Sequence, residues 1–175
     1  MNDVCLVRPS MQLQDNYFSF YQDWVSSGEY MVPWVISRDP SDFPSMLEFL
    51  LDNERGANLP DGWVPSSTFW LVDATNRVIG AVNIRHRLTE YLRTIGGHIG
   101  YGIRPSERRK GYATKLLQLS LIRARDLGIQ RALLTCDEKN VASEKTIRNN
   151  GGIQDSNYID DNGHVTCRFW IDTRG

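Results

Sequence analysis

The chain has 175 residues, 41% hydrophobic and 23% charged, with 20 Lys and Arg against 21 Asp and Glu for a formal net charge of -1. That length suffices for one domain, residues 1–175, with a core of its own, and the near-neutral balance excludes a general affinity for nucleic acid. No apolar run approaches the roughly 18 residues of a spanning helix, the N-terminus lacks a basic stretch followed by an apolar one, and Cys5, Cys136 and Cys167 have no CxxC spacing, so neither a membrane nor a metal site is expected and a reducing cytoplasm is.

Val4 to Pro9 reads as a first strand. From Met11 to Ser27, Leu13, Tyr17, Phe20, Tyr21 and Trp24 recur at helical spacing. A second helix is predicted over "SDFPSMLEFLLDNE", with Ser41 as its N-cap. "LPDGWVPSS" (Leu59 to Ser67) is a turn-rich loop. "TFWLVD" and "RVIGAVNIRHRL" are strands joined by "ATN". Ile95 to Ile103 is a glycine-rich strand. Tyr112 to Leu127 is an amphipathic helix stopped by Gly128. "RALLTC" is a buried strand, and "NVASEKTIRNNGG" a short helix starting near Asn140. The last segment is a hairpin with Asn162-Gly163 in its turn. This order predicts an α/β (α+β) fold with a mixed sheet: hairpins make antiparallel neighbours, whereas the strand-helix-strand from Ile95 to Cys136 makes parallel ones.

Three arginines and a lysine fall within the seven residues from Arg104 to Lys110, just before a predicted helix. Positive charge is unfavourable at a helix N-terminus, which already carries partial positive charge. An anion there would resolve the conflict. Gly111 lets a ligand approach the backbone, the free N–H groups of the first turn form an anion site, and Arg108, Arg109 and Lys110 add charge. The pattern suits a diphosphate. It is not a P-loop, since GxxxxGK[ST] is absent. Nor is it a dinucleotide fingerprint, since Pro105 stands where the third glycine belongs.

"GYGIRPSERRKGYATKLL" and "LLTCDEKNVASEKTIRNNGGI" together resemble the GNAT superfamily of acyl-CoA-dependent N-acetyltransferases, closest to the branch with ribosomal-protein alanine acetyltransferases. The motifs cover about a third of the chain, and the element order nearly all of it. The resemblance implies about seven strands, splayed between strands 4 and 5, with about four flanking helices and acetyl-CoA in the cleft. Backbone groups of Tyr101 and Ile103 would pair with the pantetheine. N–H groups from Arg108 through Lys110, Gly111, Tyr112, Ala113 and Thr114 would hold the pyrophosphate. Asn140 would bind pantetheine from the far side, beside Ser143, and Arg104 and Arg109 would reach the 3′-phosphate.

The reaction implied is direct attack of an amine on a thioester. That calls for a base, an N–H donor for the oxyanion and modest acid help for the thiolate. Many family members place a tyrosine acid seven residues after the strand 5 asparagine. Ile147 occupies that position here. Tyr101 is a substitute acid, and Tyr158 another. His98 is the base candidate because its ordinary pKa suits neutral pH, and Glu138 lies at the mouth of strand 5. Cys136 reads as an inert buried thiol. Trp34 and Trp63, in predicted loops, are candidate walls of the amine site, and Glu29 a candidate attraction for its charge. The expected function is acetyl transfer from acetyl-CoA to a small-molecule or peptide amine. The alternative is a catalytically weak CoA-binding regulatory or scaffold module. The C-terminal hairpin is expected to support a homodimer.

Overall fold

The computed structural model describes residues 3–174. In chain order it contains β1 (Val4–Val7), α1 (Gln14–Ser27), α2 (Phe43–Arg55), β2 (Ser66–Asp73), β3 (Val78–Arg85), α3 (Glu90–Thr94), β4 (Ile99–Ile103), α4 (Tyr112–Asp126), β5 (Arg131–Asp137), α5 (Val141–Asn149), β6 (Ile153–Gln154), β7 (Tyr158–Ile159) and β8 (Val165–Asp172). One sheet has the order β1-β2-β3-β4, the other β5-β8-β6, with β7 also on β8. The ladders within each sheet are antiparallel. Between the sheets, β4 and β5 share no ladder among the described residues. They meet where the His98 N–H donates to Leu133 O at 2.7 Å and the Leu133 N–H donates to His98 Nδ1 at 2.9 Å. Beyond that point the cleft between the strands begins.

Side chains alternate between the two faces of a strand, and both faces of the first sheet are covered. Phe69, Leu71, Val82 and Ile84 join α4 and the second sheet in one core. Trp70, Val72, Val78 and Ala81 join α1 and α2 in the other. This is why β2 and β3 read as nearly continuous buried runs. The α1 stripe packs as its spacing predicts, with Tyr17 stacked on Trp70 at 4.3 Å between ring centroids.

Several boundaries differ from expectation. Asp42, not Ser41, caps α2, because its carboxylate accepts from the Ser45 N–H at 3.1 Å. The glycine-rich strand starts at Ile99 rather than Ile95, since Gly96 and Gly97 have φ of +99° and +59°, outside extended backbone. A Cβ at Gly97 would also lie 2.4 Å from Leu133 O, so the close approach of β5 needs glycine there. A short helix, α3, stands between β3 and β4, where the sequence predicts none. It is capped by Thr89, whose hydroxyl accepts from the Leu92 N–H.

Gly102 shows why β4 is glycine-rich. The loop after α1 crosses this strand, and a Cβ on Gly102 would sit 1.9 Å from Val32 O and 3.1 Å from the Trp24 ring. Gly102→Ala is expected to lower stability by roughly 1–3 kcal/mol or more, the usual range for overpacking. A lowered urea midpoint with an unchanged m-value checks this; an unchanged midpoint contradicts it.

Candidate active site

The register of β3 on β4 fixes where backbone groups point. The Arg85 N–H donates to His98 O, and the Arg104 N–H donates to Ile79 O, both at 2.8 Å. In an antiparallel ladder, hydrogen-bonded pairs alternate with non-bonded ones. Gly100 and Gly102 therefore face β3, and the N–H and C=O groups of Tyr101 and Ile103 project from the opposite edge, into the cleft. The Ile103 carbonyl accepts only a long 3.3 Å bond from Arg108 Nε.

At the end of β4 the chain turns into α4 through left-handed residues at Arg109 (φ +62°) and Gly111 (φ +83°). Gly111 is the N-cap of α4 and has no side chain to close the first turn. The N–H groups of six consecutive residues, Arg109 through Thr114, have no acceptor among the described residues. The Arg108 N–H, expected with them, is directed at Pro105 O instead. Six donors gathered at a helix N-terminus and addressed by no protein group form a cradle for a multiply charged anion. The Tyr112 side chain is buried in the core, so its contribution to the cradle is its backbone.

The charged side chains are less available than expected. Arg104 does not reach toward a phosphate. Its Nε donates to Asp23 at 2.6 Å and its Nη2 to the Ser19 carbonyl and hydroxyl, tying the end of β4 to α1. Lys110 donates to Glu107 at 2.8 Å, and Glu107 also holds Arg77. Arg108 donates to both Glu29 oxygens, at 2.8 and 2.7 Å, and lies 5.0 Å over the Trp24 ring. Glu29 is thus occupied by the loop's own arginine and is not free to draw an amine. Arg109 is exposed, with no side-chain partner among the described residues. Asn140 caps α5 by accepting from the Ser143 N–H at 3.0 Å.

Across the cleft, the Tyr101 hydroxyl lies 3.3 Å from Ser143 Oγ on α5. Burial pushes that phenol up to about 12, against the pull of its Ser143 and Thr146 hydrogen bonds. It is therefore a neutral, proton-bearing group at physiological pH. Ile147 is fully buried, so α5 puts hydrocarbon at the position where the resemblance implies a tyrosine acid. Burial also pushes the neighbouring Cys136 thiol up to about 11, which keeps it protonated. Glu138 is exposed one residue past β5 and shares no hydrogen bond with the Tyr101–Ser143 pair.

His98 is a correction. Only 8% of it is exposed, and its Nδ1 lone pair is committed to the Leu133 N–H, which puts the proton on Nε2. Burial first, then the Arg93 and Arg85 guanidinium groups, push it down to about 4. A ring in that state has no lone pair to offer as a base. Its role is to lock β4 onto β5. Because its folded pKa lies below the ordinary value of about 6.5, the unfolded chain binds the proton more readily. Its stabilisation is full above about pH 6.5 and is lost as pH falls toward 4. We expect the loss to be on the order of 3 kcal/mol across that window. His98→Asn, which retains an acceptor, should flatten the dependence in urea unfolding at pH 7 and pH 5; equal pH dependence in both proteins contradicts this.

On the other face of the first sheet, Trp34 and Trp63 come together edge to face at 4.8 Å. They wall a slot of about 130 Å³ with Phe49 and Leu59. Trp34 Nε1 donates to Asn83 Oδ1 at 3.3 Å, and Asn83 pairs with Gly100, which places Trp34 beside the β4 segment that includes Tyr101. Sequence reasoning missed the anchors Asp23, Ser19 and Ser106, whose only signal is polarity on α1 and in the loop before α4. Among the described residues, no helix is long and apolar enough to cross a membrane, and no group of three or more metal-ligating side chains gathers.

Comparison with known proteins gives one family. The description "Acetyltransferase (GNAT) domain" matches residues 4–153. No curated protein matches. Among solved structures, the microcin C7 self-immunity acetyltransferase MccE, in complex with acetyl-CoA and AMP, is similar at TM-score 0.67 and 16% identity, covering 98% of this chain and 93% of that one. The spermidine N-acetyltransferase from Vibrio cholerae, a dodecameric structure, gives 0.65 and 16%, with 97% and 94% covered. An acetyltransferase from Salmonella typhimurium that modifies the N-terminal serine of ribosomal protein L7/L12 gives 0.65 and 13%, with 97% and 94% covered. At such identities these likenesses establish the fold, while the family match spans most of the chain. With an open β4 edge leading to six unclaimed N–H groups, the chain belongs to the GNAT acetyltransferases and is an acetyl-CoA-dependent N-acetyltransferase.

Proposed function

We propose that the chain acetylates a primary amine of a small molecule or peptide by direct transfer within a ternary complex, as a single catalytic domain. The observation that carries this reading is the alignment of the free β4 edge with the six-donor cradle. The edge suits the pantetheine amides and the cradle the pyrophosphate. Bound there, acetyl-CoA supplies the thioester. The Tyr101 and Ile103 backbone groups orient it, and the N–H groups of Arg109 through Thr114 neutralise its diphosphate. Arg109 is the side chain left to meet the 3′-phosphate, and the uncommitted Asn140 amide nitrogen is a further donor at the cleft mouth. The amine nitrogen bonds to the acetyl carbon as the carbon–sulfur bond breaks. Tyr101 Oη would give its proton to the leaving sulfur and regain one from solvent, while the proton lost by the amine would pass to water, with Glu138, exposed one residue past β5, a candidate acceptor for it.

The Trp34–Trp63 slot is the wall we assign to the acceptor, because Trp34 stands beside β4 on the face opposite α4. The acceptor therefore carries apolar surface next to its amine. The similar proteins act on a polyamine and on a ribosomal-protein terminus, and both chemistries belong in the test. Thiol release from acetyl-CoA should depend on an added amine across a panel of polyamines and peptide N-termini. Tight CoA binding with no amine-dependent release over that panel would favour the regulatory-module alternative, which the hydrocarbon at Ile147 motivates.

We also place the protein in the cytoplasm, on its three unpaired cysteines. We take it to be a homodimer, on the exposed Ile153 and Ile159 of the second sheet's outer strands. Sedimentation at micromolar concentration should show a two-chain species; a 20.0 kDa species alone contradicts the dimer.

A further inference from the structure

A second cavity, of about 390 Å³, opens away from the pyrophosphate cradle, where the chain enters β4 and β5. His86 and Arg87 reach it from the end of β3, Arg93 from α3, His98 from the start of β4, Arg131 from β5 and Trp170 from β8. None of the residues lining it is acidic. Arg87, Arg93 and Arg131 have no carboxylate partner among the described residues. Nor does Arg85 just behind them, which donates instead to the Gly96 and Gly97 carbonyls at 3.1 Å. In a chain of formal net charge -1, three guanidinium groups line one hollow, and Asp172, across the ladder from Arg131, is already paired with Arg174, so positive charge is in local excess.

The hollow also has a built donor. His98 is more than nine-tenths buried and lines the cavity. Its Nδ1 accepts from Leu133, so Nε2 carries the hydrogen, and Nε2 has no partner among the described residues. His86 is oriented by a 2.8 Å bond between its Nε2 and Ser67 Oγ. Apolar surface completes the lining: Leu127, Ile129 and the Trp170 ring, over which Arg131 lies at 5.2 Å.

We propose that this cavity is a second binding site, separate from the acetyl-CoA cleft, for a small organic oxyanion whose phosphate or carboxylate meets Arg93, Arg131 and the His98 Nε2–H and whose ring or hydrocarbon lies against Trp170. Arginine forks match planar and tetrahedral oxyanions. The volume falls within the range of small-molecule pockets, which favours a compact ligand over an extended acidic chain. Burial first, then Arg93 and Arg85, depress His98, so an anion held by Arg93 and the His98 Nε2–H should raise its titration midpoint. That supplies a reporter that does not depend on acetyl transfer.

The test uses the full chain with CoA at saturation, so that the pyrophosphate cradle is already filled. Phenyl phosphate and benzoate are titrated in while the His98 imidazole is followed by NMR across the Arg85, Arg87, Arg93 and His86 surroundings. The expected result is saturable displacement of His98 with a raised midpoint. It should weaken about 10-fold or more in the Arg93→Ala/Arg131→Ala variant, as loss of charge-assisted bonds requires, while CoA affinity is unchanged. Phenyl phosphate binding more tightly than benzoate would assign the head group as phosphate, and the reverse as carboxylate. The proposal is overturned if His98 does not move, if sodium chloride at equal ionic strength moves it as far, or if an oligoglutamate peptide binds more tightly than either ligand.

Discussion

Gly111→Asp should abolish acetyl-CoA binding. Residue 111 adopts φ +83° at the N-cap of α4, a conformation that Asp tolerates better than most residues, so the variant is expected to fold. Its carboxylate would occupy the centre of the six unclaimed N–H groups and repel the pyrophosphate. Acetyl-CoA at 100-fold over Kd stabilises the wild type by about 2.7 kcal/mol, or roughly 5–10 °C in Tm for a chain of this size. The Asp variant should show no shift. Gly111→Asn separates charge from shape: it should keep part of the shift. Equal shifts in the wild type and the Asp variant would remove the pyrophosphate from this loop.

Tyr101→Phe should lower kcat by roughly 10²-fold or more, the usual range for a proton-transfer group. Acetyl-CoA affinity should hardly change, because we assign the pantetheine to backbone groups of Tyr101 and Ile103, which the substitution leaves in place. The α5 position implied for a tyrosine acid carries Ile147 instead. With Ile147 buried, the Tyr101 phenol, raised to about 12 and 3.3 Å from Ser143 Oγ, is the group we propose as proton donor. A raised pKa means the phenol stays protonated through neutral pH, so kcat should show no loss from this group until strongly alkaline conditions. Ser143→Ala should cost less, since Ser143 only orients the phenol. Loss of that hydrogen bond is worth about 1 kcal/mol in stability, so a merely structural Tyr101 would lower Tm and leave turnover per folded molecule intact. Unchanged kcat in a folded Tyr101→Phe protein contradicts the assignment.

Local features of this fold were legible in the sequence, and long-range ones were not. Gly111 before an amphipathic run, Asn140 three residues ahead of Ser143, and Asn162-Gly163 between strands each carry their meaning within a few residues, and each appears as read. Arg104 is the opposite case. Its partner Asp23 is 81 residues away, and nothing in the basic cluster distinguishes an arginine that anchors β4 from one that faces a ligand. Glu29 and Arg108 are likewise 79 residues apart. His98 has a neutral-range pKa in isolation. Burial, the Arg93 and Arg85 guanidinium groups and its bond to a β5 amide convert it from a base into a strand clamp. The glycines of β4 were legible as a sign of close approach, but the approaching group, Val32, belongs to a loop whose path is set by the packing of α1. The five-residue α3 depends on a threonine cap and tertiary contacts rather than on a periodic stripe.

The central claim is that the backbone amides after β4 hold the diphosphate of acetyl-CoA. The most direct measurement follows those amides by ¹⁵N–¹H correlation during titration with acetyl-CoA. The account predicts that the amide protons of Arg109 through Thr114 move downfield together as they acquire an acceptor, with Tyr101 and Ile103 shifting in the same titration. Saturable binding that leaves those six amides in place while others move would contradict it.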